Sequence, residues 1–308
     1  MIKYGKRKFE IMEYLVSVII PTYRRADMLP RAIDSVLGQS YKNVQVVVID
    51  DNNPDTEFRK TTATMMQKYA GNVKVKYVCH ERNMNGSVAR NTGIQNADGE
   101  IIAFLDDDDE YYPDKIQIQV EYLLSHPAYC AVYCGWDREG CVVPEKEGDL
   151  SFELLSGTNL IYTNVIMMWK KEAVECGGWD ETFMRHQEAA FMLRYFKTGQ
   201  KIGVVKQVLV KFDTSDRSNA ANPQNNEKQM DHYLSSYMDM ILACEKKRPG
   251  AMKDIYSFRY RGIFLNYILV KEYLEAWKLY VKLVKKMPIK FNIDLFRYAF
   301  ARFRKGRN

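Results

Sequence analysis

The chain has 308 residues, of which 46% are hydrophobic and 27% charged, enough for one large α/β domain with an appendage or for two domains. No apolar run approaches the roughly 18 residues that span a bilayer, and residues 1–13 lack the apolar stretch of a signal peptide. Residues 271–308 carry 11 Lys/Arg against 3 Asp/Glu, a net +8 in a chain of net +6, so residues 1–270 carry −2. The composition argues against a membrane-spanning or secreted protein and predicts a cytoplasmic one with a basic tail.

The six cysteines are scattered and form no C-x-x-C pair. Cys130, Cys134 and Cys141 lie close together in sequence, but a fourth ligand at zinc-site spacing is missing. The pattern therefore predicts reduced core thiols in a cytoplasmic protein.

Strand and helix patterns alternate over the first 105 residues. Apolar runs predict strands at 16–20, 44–49, 73–78 and 101–105, and periodic patterns predict helices at 27–38, 56–70 and 87–97. Pro21 is expected to end the first strand, and Asp27 to cap the first helix. This order predicts a parallel sheet with right-handed crossovers.

The pattern changes after Asp109. Pro113 suits the start of a helix, and shorter strands are predicted at 129–134 and 165–169, with a hairpin near 136–143. A helix near 187–198 and a strand within 201–211 follow, then a Ser/Asn-rich stretch and mostly helical patterns. The predicted organisation is an extension (1–14), a domain (15–212) divided at 112/113, a linker (213–226) and a helical region (227–308).

Five acidic residues, from Asp106 to Glu110, directly follow the apolar strand pattern at 101–105. They are therefore expected at the carboxyl end of a strand, where open α/β sheets bind ligands. Like charges this close repel one another, and Mg²⁺ or Mn²⁺, which prefers oxygen ligands and often holds phosphates, would relieve the repulsion. The ordinary alternative is a solvated acidic loop.

Residues after the first two predicted strands suit nucleotide binding. Tyr23 could stack on a base, and Asp51 could accept a hydrogen bond from the imide of uracil. Each has an ordinary alternative, an exposed aromatic side chain and a turn-forming aspartate. No G-x-G-x-x-G follows the first strand and no Walker A lysine motif occurs, which argues against dinucleotide and P-loop folds.

Several motifs together resemble family 2 glycosyltransferases over about residues 15–212. They are Val16-Ser17-Val18-Ile19-Ile20-Pro21-Thr22-Tyr23, Val48-Ile49-Asp50-Asp51, Ala89-Arg90-Asn91-Thr92-Gly93, Asp98-Gly99-Glu100 and Phe104-Leu105-Asp106-Asp107-Asp108-Asp109. The resemblance implies a GT-A fold, which is an α/β fold with a mostly parallel central sheet flanked by helices. It also implies a nucleotide-sugar donor, most often a UDP-sugar, a divalent metal and inversion at the anomeric carbon.

The resemblance also implies site residues. Donor-binding residues are expected at Pro21, Tyr23, Asp51, Arg90, Asp106 and Asp107, with Tyr23 on the base, Asp51 reading uracil and Arg90 supplying a cation. Asp106 and Asp108 fit the outer positions of the family's D-x-D, so Mn²⁺ or Mg²⁺ is expected on Asp108 and Asp106, and the ribose on Asp106 or Asp107. Four consecutive aspartates leave this register open by one residue.

An inverting transfer needs a general base for the acceptor hydroxyl. The stretch from Gly177 to Glu188 resembles the family segment that ends in an acidic pair before a helix, but Gln187-Glu188 stands where Glu-Asp is commoner. Glu188 is the expected base and Asp180 the second choice. For Glu188 the alternative is an ordinary glutamate at the start of a helix. His186 is expected to pack or to bind the acceptor rather than to bind a metal.

The basic tail combines charged and aromatic positions at helical spacing on both sides of Pro288. A basic face beside an aromatic face is typical of an interfacial helix that binds anionic lipid. The alternative is that the aromatic face packs on the catalytic domain or in a homodimer; nucleic-acid binding is not expected, because this face is apolar.

The expected function is a cytoplasmic, metal-dependent inverting transferase, with a peripheral position on the inner face of the cell membrane. It would add a hexose or N-acetylhexosamine from a UDP-sugar to a lipid-linked glycan acceptor in surface polysaccharide biosynthesis. The alternatives are a sugar nucleotidyltransferase and a non-catalytic nucleotide-sugar-binding protein. The former would need a Gly-rich phosphate loop and a lysine after the first strand, where this chain has Pro21-Thr22-Tyr23-Arg24-Arg25.

Overall fold

The computed structural model of the protein describes residues 14–215 and 222–305. Its strands are β1 (Val16–Thr22), β2 (Val44–Asp50), β3 (Val75–Cys79), β4 (Ile101–Phe104), β5 (Glu110–Tyr111), β6 (Ala131–Asp137), β7 (Cys141–Val142), β8 (Met167–Trp169) and β9 (Ile202–Lys211). Its helices are α1 (Leu29–Leu37), α2 (Glu57–Met66), α3 (Gly86–Asn96), α4 (Lys115–Ser125), α5 (Ser151–Ser156), α6 (Lys170–Glu175), α7 (Gln187–Lys197), α8 (Pro223–Ser236), α9 (Met238–Lys247), α10 (Ala251–Leu269), α11 (Tyr273–Lys286) and α12 (Pro288–Lys305).

One mixed sheet organises the domain, in the order β3-β2-β1-β4-β8-β6-β9-β5, with β7 beside β6. The first four strands are parallel, as predicted: Val16 pairs with Val44 on one side and with Ile101 on the other. Strand β2 is buried along its whole length, which explains its unbroken apolar sequence. The carboxyl ends of β1, β2 and β4 therefore meet at one edge.

Two expected boundaries in this half were wrong. Strand β1 continues through Pro21 to Thr22, because its pairing with β4 stops at Ile19 and only the β2 side remains paired. A proline there removes no bond to β4. Helix α1 begins at Leu29 after Met28, which makes no side-chain cap, so Asp27 does not cap it.

The second half of the sheet is mixed. Strand β8 is antiparallel to both β4 and β6, and β9 runs parallel to β6 and antiparallel to β5. Strands β6 and β7 form the predicted hairpin, with Trp136 opposite Val142. The acidic run begins at Asp106, two residues after the end of β4, so the β4–β5 connection carries its four aspartates along the strand-end edge.

The helical C-terminal region packs on the domain. Helix α8 begins at Pro223, inside the predicted linker, after Asn222 accepts a hydrogen bond from the backbone N of Asn225 (2.8 Å). The buried hydroxyls of Tyr233 and Tyr237 donate to the carbonyls of Leu154 (3.2 Å) and Ala190 (3.1 Å). These bonds tie α8 to α5, and the junction between α8 and α9 to α7. Residues 1–13 of the predicted extension, 216–221 of the linker and 306–308 of the tail lie outside the described residues.

The tail forms two helices, α11 and α12, that use their apolar side chains in two ways. One set is buried against α10 and neighbouring helices: Ala276, Leu279, Leu283, Met287 and Phe291. A second set is exposed: Tyr273, Leu274, Trp277, Ile289, Ile293, Phe296 and Phe300. None of the helices in the described ranges is both long and apolar enough to cross a membrane.

Candidate functional site

A cavity of about 730 Å³ opens at the strand-end edge. All six residues predicted to bind the donor line it: Pro21, Tyr23, Asp51, Arg90, Asp106 and Asp107. Five of the six lie within three residues of the end of a strand, which explains why the parallel half of the sheet gathers them. We call it the donor cavity; that it binds the donor stays a prediction.

Tyr23 stands at the wall of the donor cavity, 38% exposed. The Arg24 guanidinium lies 4.8 Å from the centre of its ring and 5.1 Å from that of Phe58, so the cation occupies a position between two aromatic rings. This contact holds Tyr23 at the mouth of the cavity, where a flat base could stack.

Asp51 is almost completely buried, and its carboxylate accepts four hydrogen bonds. Oδ1 accepts from the ring Nδ1 of His80 (2.7 Å) and the backbone N of Met84 (2.8 Å). Oδ2 accepts from the side chain of Asn83 (2.8 Å) and the backbone N of Asn85 (3.1 Å). Since a carboxylate offers about four acceptor positions, Asp51 reads a base only if one of these bonds is exchanged.

The segment around Asn83 is a part of the donor cavity that the sequence analysis missed. His80 bridges Asp51 and the hydroxyl of Thr92 (Nε2 to Oγ1, 2.9 Å), and Asn83 and Asn85 line the cavity. The sequence signal was Asn-Met-Asn-Gly, because asparagine favours turns and helix caps, and Asn85 does cap α3.

The acidic run alternates between buried and accessible carboxylates. The side chains of Asp106 and Asp108 are 36% and 18% exposed, whereas that of Asp107 is 5% exposed and Asp109 is buried. Asp107 accepts from the Thr22 hydroxyl (2.7 Å), and Asp109 from the backbone N of Asp213 (2.7 Å). This alternation favours the D-x-D register Asp106–Asp108.

Burial raises the pKa of both inner carboxyls. The pKa of Asp107 rises to about 7, because burial outweighs the Thr22 hydrogen bond and the charge of Arg25. The pKa of Asp109 rises to about 8 through burial and the charges of Asp106 and Asp108. Placing the acidic run at the strand ends is therefore unfavourable for its ionised carboxylates, which are partly buried and repel one another.

Two arginines that the sequence analysis did not assign counter this charge. Arg25 forms ion pairs with Asp108 (2.7 Å) and Asp107 (3.4 Å). Arg31 donates to the carbonyl oxygen of Asp108 and pairs with Asp213 (2.9 Å). Arg25 belongs to the basic pair Arg24-Arg25 just after β1, and Arg31 lies in the first turn of α1.

The acidic run carries the carboxylates that could bind a divalent metal. Within residues 14–215 and 222–305, no group of three or more His, Cys, Asp or Glu side chains is arranged to bind a metal ion. Mg²⁺ and similar ions, however, are commonly held by one or two carboxylates together with substrate phosphates and water. The two accessible carboxylates, Asp106 beside the donor cavity and Asp108 beside Arg25, fit that kind of site.

Arg90 connects three parts of the donor cavity. Its guanidinium donates to Asp106 Oδ1 (2.7 Å) and to Gln187 Oε1 (3.0 Å), and lies 4.8 Å from the ring of Trp179. Gly86 leaves room for it, because a Cβ there would come within 2.9 Å of Arg90 Nη1. Gln187, which departs from the commoner glutamate, therefore belongs to the donor side.

Glu188 lines a second, small cavity of about 40 Å³, which we call the base cavity. His186 and Arg259 also line it, together with residues of the 159–162 segment. Burial raises the pKa of Glu188, against the opposing charges of Arg90 and Arg259. Neighbouring residues of the α7 start thus contribute to different cavities, Gln187 to the donor cavity and Glu188 to the base cavity.

Asp180 does not reach either cavity. It lines a third pocket with Arg194, whose Nη1 lies 3.7 Å from its carboxylate, and accepts hydrogen bonds from the backbone and hydroxyl of Thr182. His186 has a left-handed backbone (φ 59°) and packs against the ring of Tyr233, and burial lowers its pKa to about 4.

Comparisons with known proteins identify relatives of the chain. A family model described as Glycosyl transferase family 2 matches residues 17–215. The amylovoran biosynthesis glycosyltransferase AmsB of Erwinia amylovora is 27% identical over 273 residues, which cover 84% of this chain and 87% of that protein. Other curated relatives, from Rickettsia species, are longer: the matches cover 19% of two of them and 40% of a third.

Two solved structures share the fold. S. aureus TarS in complex with UDP-GlcNAc superposes with a TM-score of 0.60 at 14% identity, over 93% of this chain and 92% of that one. The mannosyltransferase PcManGT from Pyrobaculum calidifontis, in complex with GDP-Man and Mn²⁺, gives 0.60 at 16% identity, over 93% and 86%. These likenesses confirm the predicted GT-A fold with a helical C-terminal region.

Proposed function

Since the chain belongs to glycosyltransferase family 2, we propose that it transfers a hexose or N-acetylhexosamine from a UDP-sugar to a glycan acceptor, with inversion at the anomeric carbon. The observation that carries the proposal is the gathering of all six predicted donor residues around one cavity, with Glu188 in a separate cavity one residue beyond Gln187. A donor site and a general base on neighbouring residues suit a direct displacement, in which the acceptor hydroxyl loses its proton as it attacks C1.

The donor roles follow the positions in the donor cavity. Tyr23 would stack on the base beside Pro21, and Asp51 would accept from the uracil imide after exchanging one of its four bonds. Arg90 would lie near the diphosphate or the sugar, and Asp106 or Asp107 would meet the ribose. PcManGT binds a guanosine sugar on the same fold, so the preference for uridine depends on these side chains rather than on the fold.

Asp108 and Asp106 would hold Mn²⁺ or Mg²⁺, supported by their accessibility and by the oxygen chemistry of the pair. When bound, the metal would act as a Lewis acid that offsets the diphosphate charge. Arg25, which pairs with Asp108, is placed to exchange its contact for a donor phosphate.

Glu188 would act as the general base. The acceptor oxygen attacks C1 of the donor sugar, the bond from C1 to the phosphate oxygen breaks, and the hydroxyl proton passes to the Glu188 carboxylate as UDP leaves. Asp180 lies in a different pocket with Arg194, so the geometry favours Glu188 for this role. A non-catalytic donor-binding protein is the alternative if Glu188 proves dispensable.

The acceptor would be a lipid-linked glycan of surface polysaccharide biosynthesis; the name of the AmsB relative supports a role in polysaccharide biosynthesis. The exposed aromatic side chains of α11 and α12, beside a net charge of +8 over residues 271–308, would hold the enzyme to anionic lipid on the inner face of the cell membrane. A homodimer contact through the same side chains is the competing use of this surface.

A donor screen tests the proposal. A panel of UDP-, GDP- and CDP-sugars is mixed with the protein, Mn²⁺ and a short glycan acceptor, and UDP release and thermal shift are measured. We expect one UDP-sugar to stabilise the protein and to be consumed only in the presence of acceptor. Stabilisation by every nucleotide alike, or none, would remove the support for a UDP-sugar donor.

A further inference from the structure

The base cavity is completed by the C-terminal helices. Arg259 of α10 lies more than seventy positions after Glu188 in the chain, yet both line the same small cavity. Tyr233 of α8 contacts two residues that line this cavity: its ring lies 5.3 Å from the Arg259 guanidinium and packs on His186. The catalytic domain therefore does not form this cavity alone.

Arg259 is fixed by a built site. Its Nε donates to the carbonyl of Leu155 (2.7 Å) and its Nη2 to that of Leu154, the carbonyls that end helix α5. Gly157 makes space for it, since a Cβ there would lie 2.8 Å from Nη1. A cation at a helix C-terminus is also favoured by the helix dipole. The guanidinium is thus held in one place rather than free to swing.

The charged and titratable groups around Glu188 come from five elements. Arg90 on α3 and Asp106 after β4 face it from the donor side, and Arg259 on α10 faces it across the base cavity. His186 and Tyr233, both neutral near pH 7, complete the surroundings. Arg90 is already paired with Asp106 at 2.7 Å. Arg259, by contrast, has no carboxylate within ion-pair distance in the described parts of the chain.

We propose that Arg259 is a positioning residue of the transfer reaction, which keeps the Glu188 carboxylate ionised while the acceptor hydroxyl occupies the cavity between them. This inference rests on the proposed function, in which Glu188 is the base. Glu188 and Arg259 share the cavity without forming an ion pair within 4 Å in the described residues. An acceptor hydroxyl in this cavity would pass its proton to the Glu188 carboxylate, with the positive charge of Arg259 nearby.

The test is the pH dependence of kcat in Arg259→Gln, with saturating UDP-sugar and acceptor. Removing a nearby cation raises the pKa of a carboxyl group, and a base works only when ionised, so the acidic limb of the profile should move up by about one pH unit. Arg259→Lys, which keeps the charge but cannot reach both carbonyls, should recover at least half of that shift. The KM for the UDP-sugar should stay within twofold of wild type in both variants.

Arg261→Gln is the matched control: this arginine lies two positions along α10 and stacks on Phe258 and Tyr298 instead. Its acidic limb should coincide with that of wild type. An unmoved limb in Arg259→Gln, whatever its activity, would overturn the inference and leave Arg259 a structural residue. If Arg259→Gln does not fold, Arg259→Met, which also removes the charge, replaces it, and an acidic limb that coincides with that of Arg261→Gln overturns the inference. Full activity of Glu188→Gln would instead refute the proposed function.

Discussion

The donor cavity and the base cavity are built in opposite ways. The donor cavity gathers side chains from neighbouring strand ends, and five of the six predicted donor residues lie within three residues of the end of a strand. The base cavity joins the start of α7 to a loop near residue 160 and to Arg259 of a distant helix. The first follows from the parallel sheet, whereas the second depends on how the C-terminal helices pack. We therefore expect nucleotide binding and acceptor activation to respond to different substitutions.

The largest effect on the donor side is expected for Asp108→Asn. Removing one charge from the acidic run should weaken metal-dependent UDP-sugar binding by at least tenfold in Mn²⁺, while less repulsion among carboxylates leaves the fold intact. Isothermal titration with and without a chelator checks this. The exposed Asp114→Asn, in the same region, is the control and should bind normally. If Asp108→Asn binds the UDP-sugar normally even when the metal is chelated, the proposed metal site is wrong.

Asp51→Ala should have a donor-side effect of similar size. It leaves four donors without their acceptor and removes the proposed reader of the uracil imide, so UDP binding should fall by roughly 5- to 150-fold, equivalent to 1–3 kcal/mol. Wild type should prefer UDP to CDP, which presents an acceptor at that ring position.

Asn83→Ala separates the two explanations for Asp51, because it removes one of its partners and keeps the carboxylate. If Asp51 reads the base, Asn83→Ala should retain the preference for UDP over CDP. If Asp51 only holds the segment around Asn83, both variants should lose affinity for UDP and CDP alike. Competition binding with the two nucleotides distinguishes these results.

On the base side, stability should move with pH through Glu188. Burial raises its pKa in the folded state, so between its ordinary value and the raised one the unfolded chain is ionised while the folded chain is protonated. Stability is therefore lost as pH rises through this window. Glu188→Gln should remove that loss and melt a few degrees higher than wild type near pH 8. Equal melting temperatures at pH 8 would show that ionisation of Glu188 does not destabilise the folded state.

The smallest effect concerns the tail. Trp277→Ala combined with Phe296→Ala removes exposed rings and should lower binding to anionic vesicles several-fold, with little change in melting temperature. Phe291→Ala, which empties a buried position, should instead destabilise the protein by about 3–5 kcal/mol. Salt should weaken vesicle binding by screening. Unchanged vesicle binding together with a concentration-dependent loss of dimer would assign the surface to self-association.

Much of the sheet and the donor cavity could be predicted because short-range patterns determine both. Apolar runs located β1, β2 and β4, and residues just after them had to meet at one edge. Pro21 was misjudged because the sequence does not show where β1 loses its β4 partner. The register of the acidic run became interpretable only through burial, which alternates along four identical side chains.

The base cavity was less predictable for a physical reason. Glu188 could be proposed from its place before a helix, but nothing near Arg259 in the sequence indicates that α10 packs on the end of α5. The bonds from Arg259 to Leu154 and Leu155 join residues about a hundred positions apart. Likewise, the four bonds to Asp51 depend on the conformation of residues 80–85, which composition alone does not fix.

The most direct test is Glu188→Gln, measured for both donor binding and turnover with the UDP-sugar found in the screen. Separate donor and base sites predict a UDP-sugar Kd within twofold of wild type and a kcat lowered by roughly 10²–10⁴-fold. Gln187→Glu, one residue earlier, is the paired variant and should alter donor binding through Arg90 instead. Turnover of Glu188→Gln at the wild-type rate, or loss of donor binding together with turnover, would contradict the division of labour proposed for the two cavities.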